Sequence, residues 1–275
     1  PDKVMVMNPA GDLEQVDGIR DKEPAFGLPA KWVDEAQREM AEMAGYTIVD
    51  PATIIATHLT EVIKQSAYDL LGRQETQGLL SKLKEKHAQV VDDLVPGLMD
   101  VGTVNRVLQN LLRERVSIRN LQSILETLAT FGAQQKDLAY LTEKVRFALR
   151  RQITESLLGP DGVLHIFTLP SQIEQVLAKS LQQTDDGREI VVDPMIAKTV
   201  LSQLIAKCDQ VVNMGLLPVL VISPPLRLPM RKFVEKYVSN INLLSHNEIS
   251  ETVKLDSLGT IEIPVGEQAP AAPTT

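Results

Sequence analysis

Residues 45–77 have the sequence GYTIVDPATIIATHLTEVIKQSAYDLLGRQETQ, which decides the fold of the first part of the chain. The β-branched run at its start predicts a short strand, and Asp50-Pro51 then favours a helix start. Aspartate accepts hydrogen bonds from first-turn amides, and proline fits the first helical position. The spacing of the apolar residues predicts a helix over residues 51–71. Gly72 is a suitable C-terminal cap for it.

The apolar residues of this predicted helix fall into two groups. At about 100° per residue, one group forms a single stripe, which we expect to be the buried face: Ile55, Leu59, Val62, Ile63 and Leu70. Ile54, Tyr68 and Leu71 lie outside that stripe, with Tyr68 nearly opposite its centre. Apolar side chains on an exposed face need a second packing partner or a ligand. Both remain open here: a neighbouring subdomain or a bound partner would cover them.

The other apolar patterns predict helices in the middle of the chain and alternating strands and helices towards its end. Upstream, they predict a strand at 3–7, an irregular stretch at 21–30 and a helix at 33–44. The helices predicted downstream cover residues 76–86, 101–113, 117–132 and 137–158. From residue 159, strands at 163–169, 217–222 and 241–244 alternate with helices at 171–182, 193–215 and 229–238. We therefore expect a mixed α+β fold of several subdomains, helix-rich in the middle with small α/β units at both ends.

The composition is that of a folded protein with no general affinity for polyanions. Of the 275 residues, 44% are hydrophobic and 23% are charged, and the formal net charge is −8. This balance argues against sequence-independent nucleic-acid binding, which needs clustered lysine and arginine. Two local basic patches, at residues 149–152 and 227–232, are interpreted first as solvated helix faces.

The cysteine count and the hydropathy of the sequence indicate the redox compartment of the chain and whether it spans a membrane. The single cysteine, Cys208, excludes an intrachain disulfide and fits a reducing compartment, and its apolar neighbours predict that it is buried. No run of 18 apolar residues occurs, so we expect no segment of this sequence to span a bilayer. The sequence has no signal peptide and begins with Pro1 rather than methionine, so we expect an excised fragment.

A search for catalytic and metal-binding patterns finds no convergent set of residues. The sequence has neither of the common glycine-rich phosphate loops and no G-x-S-x-G elbow. The four histidines, His58, His87, His165 and His246, are far apart in sequence and lack a second ligand at metal-binding spacing. His58 and Glu61 are three residues apart on a predicted helix, which is typical of a surface pair. We therefore expect no catalysis, no metal and no cofactor.

Three further stretches carry a resemblance to a known family. They are EPAFGLPAKW at residues 23–32, RVLQNLLRERVSIRNLQSILETL at 106–128 and LLSHNEI at 243–249. Together with residues 45–77, they resemble the export-gate family of flagellar and type III secretion systems over about residues 5–263. The stretches at 23–32 and 243–249 favour the flagellar branch, whereas the others are shared with the injectisome branch.

The resemblance implies four subdomains that follow a membrane-embedded N-terminal half, which this sequence lacks. The expected boundaries are 1–46 with 96–115 for a first α/β subdomain, 47–95 for an inserted subdomain, 116–190 for a helix-rich third subdomain and 191–263 for a C-terminal α/β subdomain. Residues 264–275 have no apolar periodicity, and we expect them to form a disordered tail.

The resemblance also implies a docking site for export chaperones, a hydrophobic dimple between the first two subdomains. The family's dimple has an aspartate, a phenylalanine three residues later just before GRQE, and a threonine at the start of the VLQNLL helix. The corresponding positions are Tyr68, Leu71 and Gly102, and a shift of one residue gives Asp69 and Thr103 instead. The predicted contact set is Ile54, Glu61, Gln65, Tyr68, Asp69, Leu71, Gly72, Arg73, Gly102 and Thr103.

By this resemblance we expect a non-enzymatic docking platform at the cytoplasmic face of the bacterial inner membrane. The expected partners are flagellar export chaperones with late cargo, components of the export ATPase complex, and further copies of the chain in a nonameric ring. No nucleic acid is expected, and the membrane is reached only through the missing N-terminal half. Two alternatives stay open: an injectisome homologue, or a mainly ring-assembling module that relies on residues 23–32 and the third subdomain.

Overall fold

The computed structural model describes residues 3–8, 13–25, 27–184, 187–238 and 240–262. Two compact units divide the chain, Pro1–Leu121 and Gln122–Thr275. The predicted tail at 264–275 lies outside the described residues. The finer division into four subdomains stays a prediction. Within the described part, no helix is both long enough and apolar enough to cross a membrane.

The first unit combines a four-stranded antiparallel sheet with a group of helices. Its elements are β1 (Lys3–Met7), β2 (Ile19–Lys22), β3 (Pro29–Asp34), α1 (Arg38–Met43), β4 (Thr47–Val49), α2 (Pro51–Leu70), α3 (Arg73–Lys84), α4 (Ala88–Leu94) and α5 (Val101–Arg113). The strand order is β2-β3-β1-β4. Side chains of β1 are buried on both faces of the sheet: Val4 and Val6 pack in one cluster, and Met5 packs in another with Ile54 of α2.

The strand predicted at 3–7 is confirmed by β1, but the prediction for residues 21–37 is only partly correct. The stretch expected to be irregular includes the last two residues of β2 and the first two of β3, and the expected helix start at residue 33 belongs to β3, whereas residues 35–37 form a 3₁₀ turn before α1. Val33 lies opposite Val4 of β1 and is fully buried, so it cannot begin a surface helix. Pro29 stands at the first residue of β3, where a missing amide is tolerated.

The second unit is an α/β layer with a helical portion before it. Its elements are α6 (Leu121–Gly132), α7 (Leu138–Ala148), α8 (Arg150–Glu155), β5 (Leu164–Thr168), α9 (Ser171–Lys179), β6 (Leu181–Thr184), β7 (Gly187–Ile190), α10 (Pro194–Asn213), β8 (Val219–Ile222), α11 (Pro224–Val234), β9 (Asn242–Ser245) and β10 (Leu255–Thr260). Strands β10-β5-β8-β9 form one parallel sheet in that order. The expected alternation of strands and helices is confirmed, and the mixed α+β class holds for the chain.

Several helix boundaries of this unit differ from the prediction. The helix expected from residue 117 begins at Leu121, and the one expected over 137–158 divides at Leu149 into α7 and α8. The helix expected at 229–238 is α11, which begins at Pro224 because two successive prolines suit a first helical turn. Strands β6, β7 and β10 were not predicted, and residues 181–182 of the helix expected at 171–182 belong to β6.

Helix α7 is tied to the α/β layer by two ion pairs. Arg146 donates from Nε to Oε1 of Glu248 at 2.7 Å, and both side chains are almost completely buried. Arg227 of α11 is also fully buried, and its Nε donates to Oε2 of Glu143 at 2.7 Å. The helical portion and the sheet of this unit therefore share one interior.

Candidate functional site

The predicted orientation of α2 is wrong, because its buried and exposed faces are exchanged. Ile54, expected to face solvent, is only 4% exposed and packs against Met5 and Ala30 of the sheet. Leu71 is also buried. The residues expected to be buried are exposed instead: Ile55 by 67%, Leu59 by 57%, Val62 by 43%, Ile63 by 49% and Leu70 by 62%. Periodicity identifies an apolar face, but the covering elements decide which face is buried.

The five exposed residues form a continuous surface, which we call the α2 stripe. It runs from Ile55 to Leu70, a length of about 22 Å at the helical rise per residue. The positions between its large side chains are Ala56 and Ser66 on the same side of the helix, so no charge interrupts it. An uncharged apolar strip of this kind marks a site of interaction more often than a solvated face.

The opposite face of α2 ends in a turn that is fixed on α5. Asn105 of α5 is buried and donates from Nδ2 to the Leu71 carbonyl at 2.9 Å and to Oγ1 of Thr76 at 3.0 Å. Gln109 donates to the same Leu71 carbonyl at 2.9 Å. Carbonyls at a helix end have no partner within the helix, so these amides satisfy the end of α2. The junction between α2 and α3 is therefore held in one position.

Two arginines flank this junction. The guanidinium of Arg113 lies 4.7 Å from the ring centroid of Tyr68, which is half-buried. At the other end, Arg73 lies over Gly102: a Cβ on that glycine would come within 3.0 Å of an Arg73 nitrogen. Gly102 thus leaves the space that Arg73 occupies. The contact between Arg73 and Gly102 places the start of α3 beside the start of α5.

Asp100 is the N-cap residue of α5. Its carboxylate accepts from the Thr103 amide at 3.0 Å and from Thr103 Oγ1 at 2.8 Å, so it caps the helix. The hydrogen bond from the Thr103 hydroxyl, followed by that from its amide, holds the pKa of the Asp100 carboxyl below its ordinary value. The Thr103 hydroxyl group is therefore engaged in the N-cap of α5.

The structure brings together six of the ten predicted contact residues. Along α5, at the α2–α3 junction, lie Tyr68, Leu71, Gly72, Arg73, Gly102 and Thr103. Ile54 is separate from them on the sheet, and Glu61 is buried with its carboxylate 2.6 Å from Lys64 Nζ. Gln65 and Asp69 are exposed.

Several residues of this region were not predicted. The α2 stripe was identified as a pattern but assigned to the interior. Asn105 and Gln109 are missing from the sequence-based prediction, although with Arg113 their i, i+4, i+8 spacing places three polar groups on one face of the predicted α5 helix. That spacing was the available signal for a polar contact with another element.

Among the residues that the structure describes, no group of three histidine, cysteine, aspartate or glutamate side chains could hold a metal ion. Cys208 is buried as predicted, and burial raises the pKa of its thiol to about 12, with a smaller contribution from Asp209. A thiol in that state is a poor nucleophile.

Comparison with known proteins identifies the family. A model of the FHIPEP family matches residues 1–254. The chain belongs to the FHIPEP family. Within this family it is 38% identical over 262 residues to the flagellar biosynthesis protein FlhA of Bacillus subtilis. The alignment covers 95% of this chain and 39% of that protein. It is 39% identical over 258 residues to FlhA of Caulobacter vibrioides, which covers 94% of this chain and 37% of that protein. The chain thus spans well under half the length of these FHIPEP relatives.

Solved structures of type III secretion proteins share the fold of this FHIPEP chain. CdsV of Chlamydia pneumoniae superposes with a TM-score of 0.81 at 25% identity, covering 94% of this chain and 74% of that one. The nonameric SctV-C of EPEC superposes with a TM-score of 0.77 at 24% identity, covering 94% and 78%. CdsV has also been resolved in complex with CdsO. The family resemblance drawn from the sequence is therefore confirmed, since the family model and the FlhA relatives each match most of the chain.

Proposed function

We propose that this chain is the docking platform of a flagellar type III export gate, at the cytoplasmic face of the inner membrane. It receives complexes of export chaperones with late cargo and passes the cargo to the membrane channel. The observation that carries the proposal is the α2 stripe, an uncharged apolar surface on an ordered helix. The flagellar branch is supported by higher sequence identity to FlhA proteins than to the type III secretion structures.

The dimensions of the α2 stripe suit an amphipathic helix of the partner. A strip about 22 Å long and one helix wide is much smaller than the roughly 800 Å² per partner of a stable globular interface. It matches the recognition mode in which the apolar face of one helix lies against an apolar groove or strip. Gln65 and Asp69, at one edge of the strip, supply polar rim contacts. The six predicted contact residues that lie along α5 hold the α2–α3 junction in shape.

The expected affinity is modest. Burying a half-exposed leucine or isoleucine gains about 1 kcal/mol, so five stripe residues and an equal face of the partner give about 10 kcal/mol. Lost freedom of the two molecules offsets at least about 4 kcal/mol of this. The remainder is at most about 6 kcal/mol, which corresponds to a Kd of roughly 40 μM or weaker and suits a platform that releases its cargo.

Calorimetric titration with a late flagellar chaperone, alone and loaded with cargo, tests the proposal. Leu59→Asp places a charge in the middle of the α2 stripe, and Thr60→Asp places the same charge one position round the helix as a matched control. We expect the loaded chaperone to bind wild type and Thr60→Asp alike, and to bind Leu59→Asp at least about tenfold more weakly. Equal binding to both variants, with unchanged circular dichroism, would place the docking site elsewhere.

A second function, assembly of a ring, is supported by a different surface. Lys144 of α7 lies 5.0 Å from the ring centroid of Phe131 and 5.2 Å from that of Tyr140, and it has no carboxylate partner among the described residues. Arg150 lies 4.6 Å over Phe147 nearby. A cationic and aromatic strip of this kind fits an acidic surface on a second copy of this net-negative chain. The nonameric state of SctV-C supports a ring of the same kind here.

Sedimentation analysis at increasing concentration tests ring assembly. Lys144→Glu reverses the charge between the two aromatic rings, and Lys179→Glu makes the same change on the exposed end of α9. We expect Lys144→Glu to abolish self-association and Lys179→Glu to leave it intact. Components of the export ATPase complex remain proposed partners as well; the complex of CdsV with CdsO supports only that a structural relative binds a second protein.

A further inference from the structure

His165 is an isolated histidine on the apolar strand β5 whose two ring nitrogens both face carboxylates. Nε2 lies 2.9 Å from Oδ2 of Asp161, in the turn before the strand, and Nδ1 lies 3.0 Å from Oδ2 of Asp256 on β10. The imidazole is only 13% exposed, while the two carboxylates are about half exposed. We call these three side chains the His165 clasp. It joins the edge strand β10 to its neighbour.

The clasp lies at one end of β10, and other contacts hold the opposite end. Asp256 is the register partner of His165, and the regular pairing is interrupted between Ser257 and Thr260. Gly259 within that interruption has a positive φ of 84°. Beyond it, Thr260 lies 3.1 Å from Thr168 between their hydroxyl oxygens, and Lys207 donates to the Leu258 carbonyl at 2.7 Å. The strand therefore consists of two halves, of which only the first depends on the clasp.

Both clasp contacts require a protonated ring. An imidazolium donates from both nitrogens, whereas a neutral imidazole has one N–H and one lone pair. After deprotonation, one of the two carboxylates faces a lone pair and is repelled. Asp161 is also held by the Val163 amide, which donates to its Oδ1 at 3.1 Å. No second hydrogen-bond partner of Asp256 occurs in the described part of the chain, so Asp256 is the group that is released.

Within the described residues, the charges that act on the His165 ring are those of Asp161 and Asp256. β8, on the other side of β5, has the sequence VLVI, and Leu216 packs beside Gly159 next to the ring. Desolvation lowers the pKa of His165, but the hydrogen bonds and charges of Asp256 and Asp161 outweigh it, so the pKa is raised above 6.5. The contribution of the clasp to stability is therefore complete below pH 6.5 and is lost as the pH rises through the raised value.

We propose that the His165 clasp is a proton-operated latch that pins the first half of β10 to the sheet and releases it when the ring loses its proton. Release frees residues 255–257 and uncovers the backbone edge of β5, with the interruption at 257–260 as the hinge. The second half of β10 stays in place, because Ile261 is buried and its amide donates to the Thr168 carbonyl at 3.0 Å. The latch lies in the second unit and does not depend on the docking function.

Amide hydrogen exchange of the whole 275-residue chain between about pH 6 and pH 8.5 tests the latch. The Leu164 amide donates to the Lys254 carbonyl at the clasped end, and the Ile261 amide reports the other end. After correction for intrinsic rates, we expect protection of Leu164 to fall about tenfold as the pH rises, and that of Ile261 to stay constant.

Variants separate the latch from general pH effects. His165→Gln should show low Leu164 protection at every pH, and Asp256→Asn should show a profile independent of pH. His246→Gln removes an exposed histidine of the same unit and should keep the wild-type profile. The latch is refuted if wild-type protection is flat with pH, or if His165→Gln retains the wild-type pH dependence. Should His165→Gln not fold, Asp256→Asn alone decides between these results.

Discussion

Replacing Arg146 by methionine should strongly destabilise the second unit, because it leaves a buried carboxylate without its cation. The Arg146 and Glu248 side chains are 2% and 3% exposed, and their ion pair measures 2.7 Å. Removing one partner of such a pair costs about 3–5 kcal/mol. Glu248 keeps two hydrogen bonds, from the Ser245 amide at 2.7 Å and from its hydroxyl at 2.8 Å, so we expect the lower end of that range.

Urea unfolding followed by two signals measures this effect. With a slope of about 2 kcal/mol/M, a loss of about 3 kcal/mol lowers the midpoint by about 1.5 M. Circular dichroism should register the loss, while fluorescence of the single tryptophan, Trp32 in the first unit, should keep its midpoint.

Two further variants determine whether burial is the cause. Arg151→Met breaks a pair of similar length, 2.8 Å, whose side chains are 76% and 51% exposed, so it should cost less than about 1 kcal/mol. Arg146→Met combined with Glu248→Gln should recover part of the loss, because no buried charge remains. An Arg146→Met midpoint no lower than that of Arg151→Met would refute the reasoning.

Three other predictions follow from single groups. Asn105→Ala removes a side-chain amide that donates to the Leu71 carbonyl. It should lower the free energy of unfolding of the first unit by about 2 kcal/mol, measured by Trp32 fluorescence. A change below about 0.5 kcal/mol would contradict the contacts described for the α2–α3 junction. The thiol pKa of Cys208 is raised to about 12, so this cysteine should resist Ellman's reagent in the folded chain and react promptly in urea. Rapid reaction of the folded chain would contradict the burial of Cys208. The pKa of Asp100 is lowered, so its contribution to the stability of the fold is present above pH 3.8 and is lost as the pH falls further. The free energy of unfolding of wild type should therefore fall more steeply in acid than that of Asp100→Asn. Parallel plots of this free energy against pH would count against the cap.

The sequence was most informative where local chemistry determines structure. Asp50 and Pro51 predicted the start of α2 correctly, because a cap and a first-turn proline act within a few residues. The parallel α/β order of the second unit followed from alternating patterns in the same way.

The failures occur where a distant element decides the outcome. β3 was not recognised because Val33 is stabilised by pairing with Val4, some thirty residues earlier in the chain. The two faces of α2 were exchanged because both are apolar, and only the positions of the sheet and α5 determine which is covered. At the α2–α3 junction, the end of α2 before Gly72 could be predicted from the sequence, but the contacts with Asn105 and Gln109 required knowledge of the packing.

Site-specific photo-crosslinking tests most directly whether the α2 stripe is the docking surface. A benzophenone side chain at Val62, within the stripe, is compared with one at Lys64, an exposed position on another side of the same helix. We expect Val62 to crosslink to the apolar face of a helix in the cargo-loaded chaperone, and Lys64 not to crosslink. Equal crosslinking from both positions, or crosslinking from Lys64 alone, would contradict this expectation.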